Sequence, residues 1–236
     1  MTSKKAFNDT IDQIQNTLKA AAGVGWQGLD CSDKIVDRVE RWGAVDRELS
    51  ESLNQIRADL GDCARCRLSE KRRNIVFGEG SGQARLVFVG EGPGYDEDVQ
   101  GSPFVGAAGK LLTKIIQAMK LEREQVYICN VIKCRPPGNR NPHPNEIAAC
   151  LPFLKRQIAA VAPAIVCALG TFAAQTLLDT REPISRLRGR FHPYEDGIQI
   201  MPTYHPAYLL RNAGKKKEVW SDVQKIMKAM GIEKDG

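Results

Sequence analysis

Apolar positions change their spacing several times along this chain, and each change marks an element. A four-residue run at 86–89 is mostly β-branched or aromatic, too short for a helix, and stops at Gly90, which predicts a buried strand. Leu111, Leu112, Ile115, Ile116 and Met119 fall on one stripe and predict a helix over 107–119. The pattern then predicts a strand over 126–132, a proline-rich loop over 135–144, a helix over 145–161 and a strand over 164–169. A helix over 171–178, a strand over 198–203 and a terminal helix over 216–230 complete the series. Strands alternating with helices predict an α/β fold: a three-layer α/β/α arrangement around a central, mainly parallel four-stranded sheet, with right-handed crossovers.

The first 60 residues read differently. Phe7, Ile11, Ile14 and Leu18 are spaced by four, three and four, which predicts an amphipathic helix over 4–20. Gly23, Gly25 and Gly28 match G-x-G-x-x-G by letter, yet they follow a helical pattern rather than a strand, so a dinucleotide turn is not expected and the stretch is taken as a linker. Helical patterns around 35–42 and 49–60 follow. The expected organisation is a helical N-terminal extension over 1–60, either an arm for a protein partner or a packed cap, and a main domain over 61–236.

At 236 residues and 42% apolar content, the chain is long enough for one full core and an appendage. No stretch approaches the ~18 uninterrupted apolar residues of a membrane span, and the first residues lack a secretory h-region. The expectation is a soluble, cytoplasmic protein without membrane contact. Net charge is +6, unevenly spread: residues 1–60 hold 8 Lys+Arg against 10 Asp+Glu, and residues 61–236 hold 26 against 18. A basic main domain suits a polyanionic partner, although such a surplus also serves plain solubility.

Two constellations carry chemistry. Gly90, Glu91, Gly92, Pro93 and Gly94 form a glycine-punctuated turn at the carboxyl end of a predicted strand, where open parallel sheets bind ligands. Seven cysteines without an export signal are poorly explained by disulfides. Cys63 and Cys66 form a C-x2-C pair, Cys134 stands at the mouth of a loop, and Cys150 lies 16 positions later in a predicted helix. Four soft ligands suit zinc or an iron–sulfur cluster. Dithiol redox work by Cys63 and Cys66 competes, but leaves Cys134 and Cys150 unexplained. Cys31 falls in the linker, whereas Cys129 and Cys167, on apolar strands, read as small core residues.

The motifs 90-GEGPG-94, 101-GSPFVG-106, 127-YICN-130, 133-KCRPP-137 and 205-HPAYLLRN-212, in this order and spacing, resemble the family 4 uracil-DNA glycosylases of bacteria and archaea. The likeness runs from about Cys63 to the C-terminus and leaves the extension outside. It implies the uracil-glycosylase α/β fold and a four-iron four-sulfur cluster held by Cys63, Cys66, Cys134 and Cys150, with uracil-containing DNA as substrate. It also implies a monomer at work in the cytoplasm of a bacterium or archaeon, associated with the nucleoid. Two departures stand out: Cys129 replaces an expected threonine, and Ala207 replaces the usual serine after His-Pro.

On that resemblance each chemical task has a residue. Excising a base requires flipping it from the stack, recognising its Watson–Crick edge and supporting charge as the N1–C1′ bond breaks. Phe104 is expected to stack on the flipped base, with Gly90 and Gly92 shaping the pocket. Asn130 can accept from uracil N3–H and donate to O4, a pattern that cytosine mismatches. His205 is expected to donate to O2 as negative charge grows there. Gly92 stands where better-known glycosylases carry a water-activating aspartate, so Glu91 is the candidate for that task and Glu97 a weaker alternative. Leu209, four positions after His205, is expected to fill the vacated stack, and Arg211 to meet phosphates. The competing classes are a non-catalytic DNA-binding iron–sulfur protein on the same scaffold and a C-x-x-C redox protein.

Overall fold

The computed structural model describes residues 51–232. The expected helices over 4–20 and 35–42, the linker and Cys31 lie outside the described residues.

Four apolar runs form the strands β2 (Leu86–Gly90), β3 (Tyr127–Asn130), β4 (Ile165–Leu169) and β6 (Gln199–Thr203), paired in parallel in the order β3-β2-β4-β6. These are the four expected strands. Two further strands of two residues each, β1 (Glu79–Gly80) and β5 (His192–Pro193), pair antiparallel on the outer edges of β3 and β6 and bring the sheet to six.

Both faces are covered, which is why β2, β3 and β4 are buried throughout and read as unbroken apolar runs. Alternate residues serve opposite sides. Val87, Val89, Cys129, Val166 and Ile200 face α4 (Pro144–Val161), α5 (Thr171–Leu178) and α6 (Ile184–Leu187). Leu86, Phe88, Ile128, Cys167 and Met201 face α3 (Ala107–Ala118), α7 (Pro206–Arg211) and α8 (Lys216–Ala229). Cys129 and Cys167 are thus buried on opposite faces, as small core residues. A short helix, α2 (Tyr95–Gln100), follows β2.

The helix expected to end the N-terminal extension is α1 (Leu53–Leu60), opened by a capping box between Ser52 and Gln55. It buries Ile56 and Leu60 against Phe77 and Phe153. Arg156 of α4 also pairs with Glu51 and Asp59. The compact unit therefore takes in α1 and does not begin at 61.

The chain leaves β2 for β3 on one side and returns to β4 on the other, so strand order reverses at β2. A ligand crevice is expected outside the carboxyl ends of strands at such a point. Gly90 and Asn130 end their strands there, and His205 follows two residues beyond β6.

Leu209 corrects an expectation. It lies in α7 beside His205, but its side chain is 1% exposed and packed into the core facing α3 and α8, so it is not presented to a DNA stack. Its neighbour Leu210 is 51% exposed. Leu209→Ala should lower the unfolding free energy by about 2–5 kcal/mol, the usual cost of hollowing a core. Leu210→Ala should leave it within about 0.5 kcal/mol. Urea denaturation of both variants checks the assignment.

Candidate active site

A cleft of about 760 Å³ opens at the carboxyl ends of the strands. Glu91, Gly92, Phe104, Asn130, His205 and Arg211 all line it.

Its floor is built by close backbone approach. A Cβ on Gly90 would lie 2.4 Å from Asn130 Oδ1 and 2.6 Å from Phe104 Cζ, so only glycine lets these two side chains meet there. A Cβ on Gly92 would lie 2.6 Å from Ile132 Cγ1. A side chain at this point of the turn would therefore collide with the residue two beyond Asn130.

Phe104 occupies a left-handed backbone conformation, φ 53°, which costs a residue with a Cβ about 1–3 kcal/mol. The surroundings hold it there. Arg123 donates to the Pro103 carbonyl. Glu97 accepts from the Gly94, Val105 and Gly106 N–H groups at 3.0 Å each. Gly109 in α3 lies so close that a Cβ would be 1.8 Å from the Phe104 carbonyl oxygen. Glu97 thus laces the glycine turn to the segment bearing Phe104, with its carboxylate engaged by backbone.

The Phe104 ring stacks on His205, with centroids 5.6 Å apart and planes at 30°. His205 caps α7, and its Nδ1 accepts from the Ala207 N–H at 3.1 Å. The neutral ring then carries its proton on Nε2, the atom left free for a ligand. Burial holds its pKa down to about 4, against partial compensation from Glu97.

Asn130 is 2% exposed, and its Oδ1 has no hydrogen-bond partner. A buried, unpartnered amide oxygen costs about 1–3 kcal/mol; among the described residues Gln157 Oε1 and Tyr194 Oη are also unpartnered, and of the three only Asn130 lines the cleft. The Asn130 main chain is fixed from behind: Lys133, fully buried, donates from Nζ to the Asn130 carbonyl at 2.6 Å. Glu91 carries a carboxyl whose pKa is raised by burial, which makes it a better proton acceptor than an exposed glutamate.

The four predicted ligand cysteines are all free thiols. They form one electrostatic group: Cys134 feels Cys150 and Cys66, and Cys150 feels Cys66 and Cys63. Donors surround the sulfurs, from the Lys133 N–H to Cys150 at 3.3 Å, Arg72 to Cys134 at 3.5 Å and Arg65 to Cys63 at 3.5 Å. N–H groups and cations aimed at clustered sulfurs fit thiolates bound to iron. Among the described residues, no three His, Cys, Asp or Glu converge as they would on a single metal ion. Cys63, Cys66, Cys134 and Cys150 would hold an iron–sulfur cluster rather than a single ion.

Three contributors are not singled out as site residues by the sequence. Lys133 is one, because an isolated lysine reads as surface. Tyr208 is another; it lines the cleft and packs against Tyr204 with centroids 5.1 Å apart. The third is Arg140, also in the lining, which pairs with both carboxylate oxygens of buried Glu146 at 2.6 and 2.8 Å. Glu146 also accepts from the His143 N–H at 2.8 Å, and that capping box at the start of α4 was the one legible hint of the pair.

His205 supplies a pH test. The unfolded chain binds its proton near 6.5 and the fold only near 4, so between these values the unfolded state holds more protons and stability falls as pH falls. NMR of ¹⁵N-labelled imidazoles should show an Nε2–H tautomer at pH 7 that titrates near 4. A midpoint near 6.5 would contradict the burial and the Nδ1 contact.

The family model described as Uracil DNA glycosylase superfamily matches residues 77–224. A type-4 uracil-DNA glycosylase of Archaeoglobus fulgidus is 43% identical over 188 residues, covering 77% of this chain and 94% of that protein. One from Thermotoga maritima is 45% identical over 177 residues, covering 74% and 91%. One from Saccharolobus solfataricus is 42% identical over 188 residues, covering 76% and 87%. With the glycine turn, the strand-end asparagine and the capping histidine gathered in one cleft, these likenesses mean that the chain belongs to the type-4 uracil-DNA glycosylases of the uracil DNA glycosylase superfamily.

Proposed function

We propose that this protein removes uracil from DNA by hydrolysing the N-glycosidic bond and leaves an abasic site. The observation that carries the proposal is Asn130, a buried amide that lines the cleft and whose oxygen lacks a partner. Oδ1 is suited to accept from uracil N3–H while Nδ2 donates to O4. Cytosine presents an acceptor and a donor in those places and would leave both halves of the amide unpaired.

The chemistry follows from the same side chains. Phe104 offers the flipped base a face in a position already strained into place. As the N1–C1′ bond breaks, its electron pair passes to the leaving uracil, and the His205 Nε2–H stabilises the charge growing on O2. The ring is neutral before the reaction, so this hydrogen bond strengthens mainly in the transition state. Water adds to C1′, and its proton passes to the Glu91 carboxylate, whose burial raises its basicity. Glu97 has the structural duty of tying the turn to Phe104 and is withdrawn as a proton acceptor.

Leu210 and Arg211, both exposed on α7 just beyond His205, are the candidates for filling the vacated stack and meeting phosphate; the wedge expected of Leu209 passes to its neighbour. Among the described residues no helix is long and apolar enough to cross a membrane. Cys63, Cys66, Cys134 and Cys150 are assigned to a [4Fe–4S] cluster. When bound, it would supply thiolate–iron bonds that tie residues 63–66 to the loop after β3 and to α4.

Excision is tested with a single-stranded uracil oligonucleotide, cleaved by alkali at any abasic site. Asn130→Asp should slow single-turnover excision about a hundredfold, or about 3 kcal/mol in the transition state. It should leave binding of uracil-free DNA within about threefold. Unchanged excision would reduce Asn130 to a strand-end residue.

Anaerobically purified protein should be yellow-brown, with thiolate-to-iron absorbance around 400 nm. Cys134→Ala should lose the colour and unfold at lower temperature. Colourless protein containing zinc would contradict the cluster assignment.

A further inference from the structure

Beside the cleft stands an aromatic surface that the mechanism above does not use. Tyr95 opens α2 directly after Gly94, the last residue of the glycine turn, yet it is 51% exposed. Guanidinium groups from two distant segments reach its ring: Arg135 at 5.0 Å and Arg73 at 5.6 Å from the centroid. Among the described residues neither arginine is ion-paired with a carboxylate. Arg135 donates from Nε to Asn139 Oδ1 at 2.7 Å, which leaves its terminal nitrogens free to turn outward.

The acidic neighbours are engaged elsewhere. Glu97 is held by three backbone N–H groups, and Asp98 is buried and accepts from the Arg73 N–H at 2.9 Å and the Asn74 N–H at 3.4 Å. Asn74 also donates from Nδ2 to the carbonyls of Asp98 at 2.8 Å and Val99 at 3.0 Å. The segment bearing Arg73 is thus stapled to α2, the helix that presents Tyr95. Gly94 and Pro136, the chain neighbours of Tyr95 and Arg135, both line the cleft, so Tyr95 and Arg135 stand one residue along the chain from its lining, with Arg73 over the same ring.

A half-exposed aromatic ring with two guanidinium groups over it, neither paired with a carboxylate, has the chemistry of a single-strand platform: an arginine that swings out to a phosphate opens the ring to any base. We propose that Tyr95, Arg73 and Arg135 form a subsite that stacks an unpaired base next to the target uracil and grips the adjoining phosphate. The occupant is single-stranded DNA, since bases within a duplex are already stacked on one another and are not offered to Tyr95. The subsite rests on the glycosylase activity proposed above for its biological meaning, but its binding does not need uracil.

The test uses the full-length protein and fluorescence anisotropy with a labelled uracil-free oligothymidylate, and in parallel the same strand in a duplex. Tyr95→Ala should weaken single-strand binding about tenfold, the scale of one lost base–aromatic stack. Tyr95→Phe should bind as wild type, because the ring is what stacks. Arg73→Gln and Arg135→Gln should each weaken binding and make it less salt-dependent. Duplex affinity should change by less than about twofold. The subsite is refuted if Tyr95→Ala binds the single strand as tightly as wild type, if strand and duplex weaken equally, or if Tyr95→Phe fails as Tyr95→Ala does. Wild-type excision of uracil is measured separately; protein that binds the oligothymidylate through Tyr95 but excises nothing would sink the glycosylase proposal and leave the subsite standing.

Discussion

Three residues beyond Asn130 sits a lysine with no solvent contact, and much of the molecule is joined through it. Lys133 Nζ donates to the carbonyl that ends β3, its N–H donates to Cys150 Sγ, and its carbonyl accepts from the Val76 N–H at 2.8 Å. One residue therefore ties the strand end that bears Asn130, the cysteine of α4 and the segment leading into β1. A buried ammonium is expensive without compensation. Burial holds the Lys133 pKa below that of an ordinary lysine, a shift that Cys129, Cys150 and Cys134 would oppose in their thiolate forms. Thiolates bound to a cluster would supply such charge permanently. The position of Asn130 is accordingly coupled to the cysteine group behind it, although the two face different chemistry.

The opposite wall of the cleft obeys a different constraint. Phe104 is useful only in a backbone conformation it would not adopt alone, and Arg123, Glu97 and Gly109 keep it there. Strain at one aromatic residue is offset by contacts from three segments. Glu97 shows how the two walls stay in register: a single carboxylate accepts from the turn after β2 and from the loop that follows Phe104. A ligand entering the cleft meets groups whose positions are fixed beforehand, which is the condition for stabilising charge without reorganisation.

How much of this was legible in the sequence depends on whether the signal was local. The four parallel strands were, because burial on both faces leaves an unbroken apolar run that needs no partner to be read. The two-residue strands β1 and β5 were not, since pairing at a sheet edge leaves no pattern of its own. Asn130, Phe104 and His205 emerged from motif order and are neighbours in the cleft. Leu209 and Leu210 show the limit: adjacent leucines on one helix differ by a rotation, and only the packing of α7 against the core decides which is buried. Lys133 marks another limit, because nothing in a lysine codon announces a buried cation. Glu97 reads in the sequence only as an alternative proton acceptor, because two of its three backbone contacts come from a loop eight and nine residues away.

The central claim is that Asn130 and His205 read the two sides of a flipped uracil stacked on Phe104. A crystal structure with a single-stranded oligonucleotide bearing uracil on a non-hydrolysable sugar tests it most directly. The account predicts N3–H bonded to Asn130 Oδ1, O4 to Asn130 Nδ2, O2 within hydrogen-bond distance of His205 Nε2, and the base parallel to the Phe104 ring. A uracil bound elsewhere, or one in the cleft with Asn130 Oδ1 still unpartnered, would contradict it.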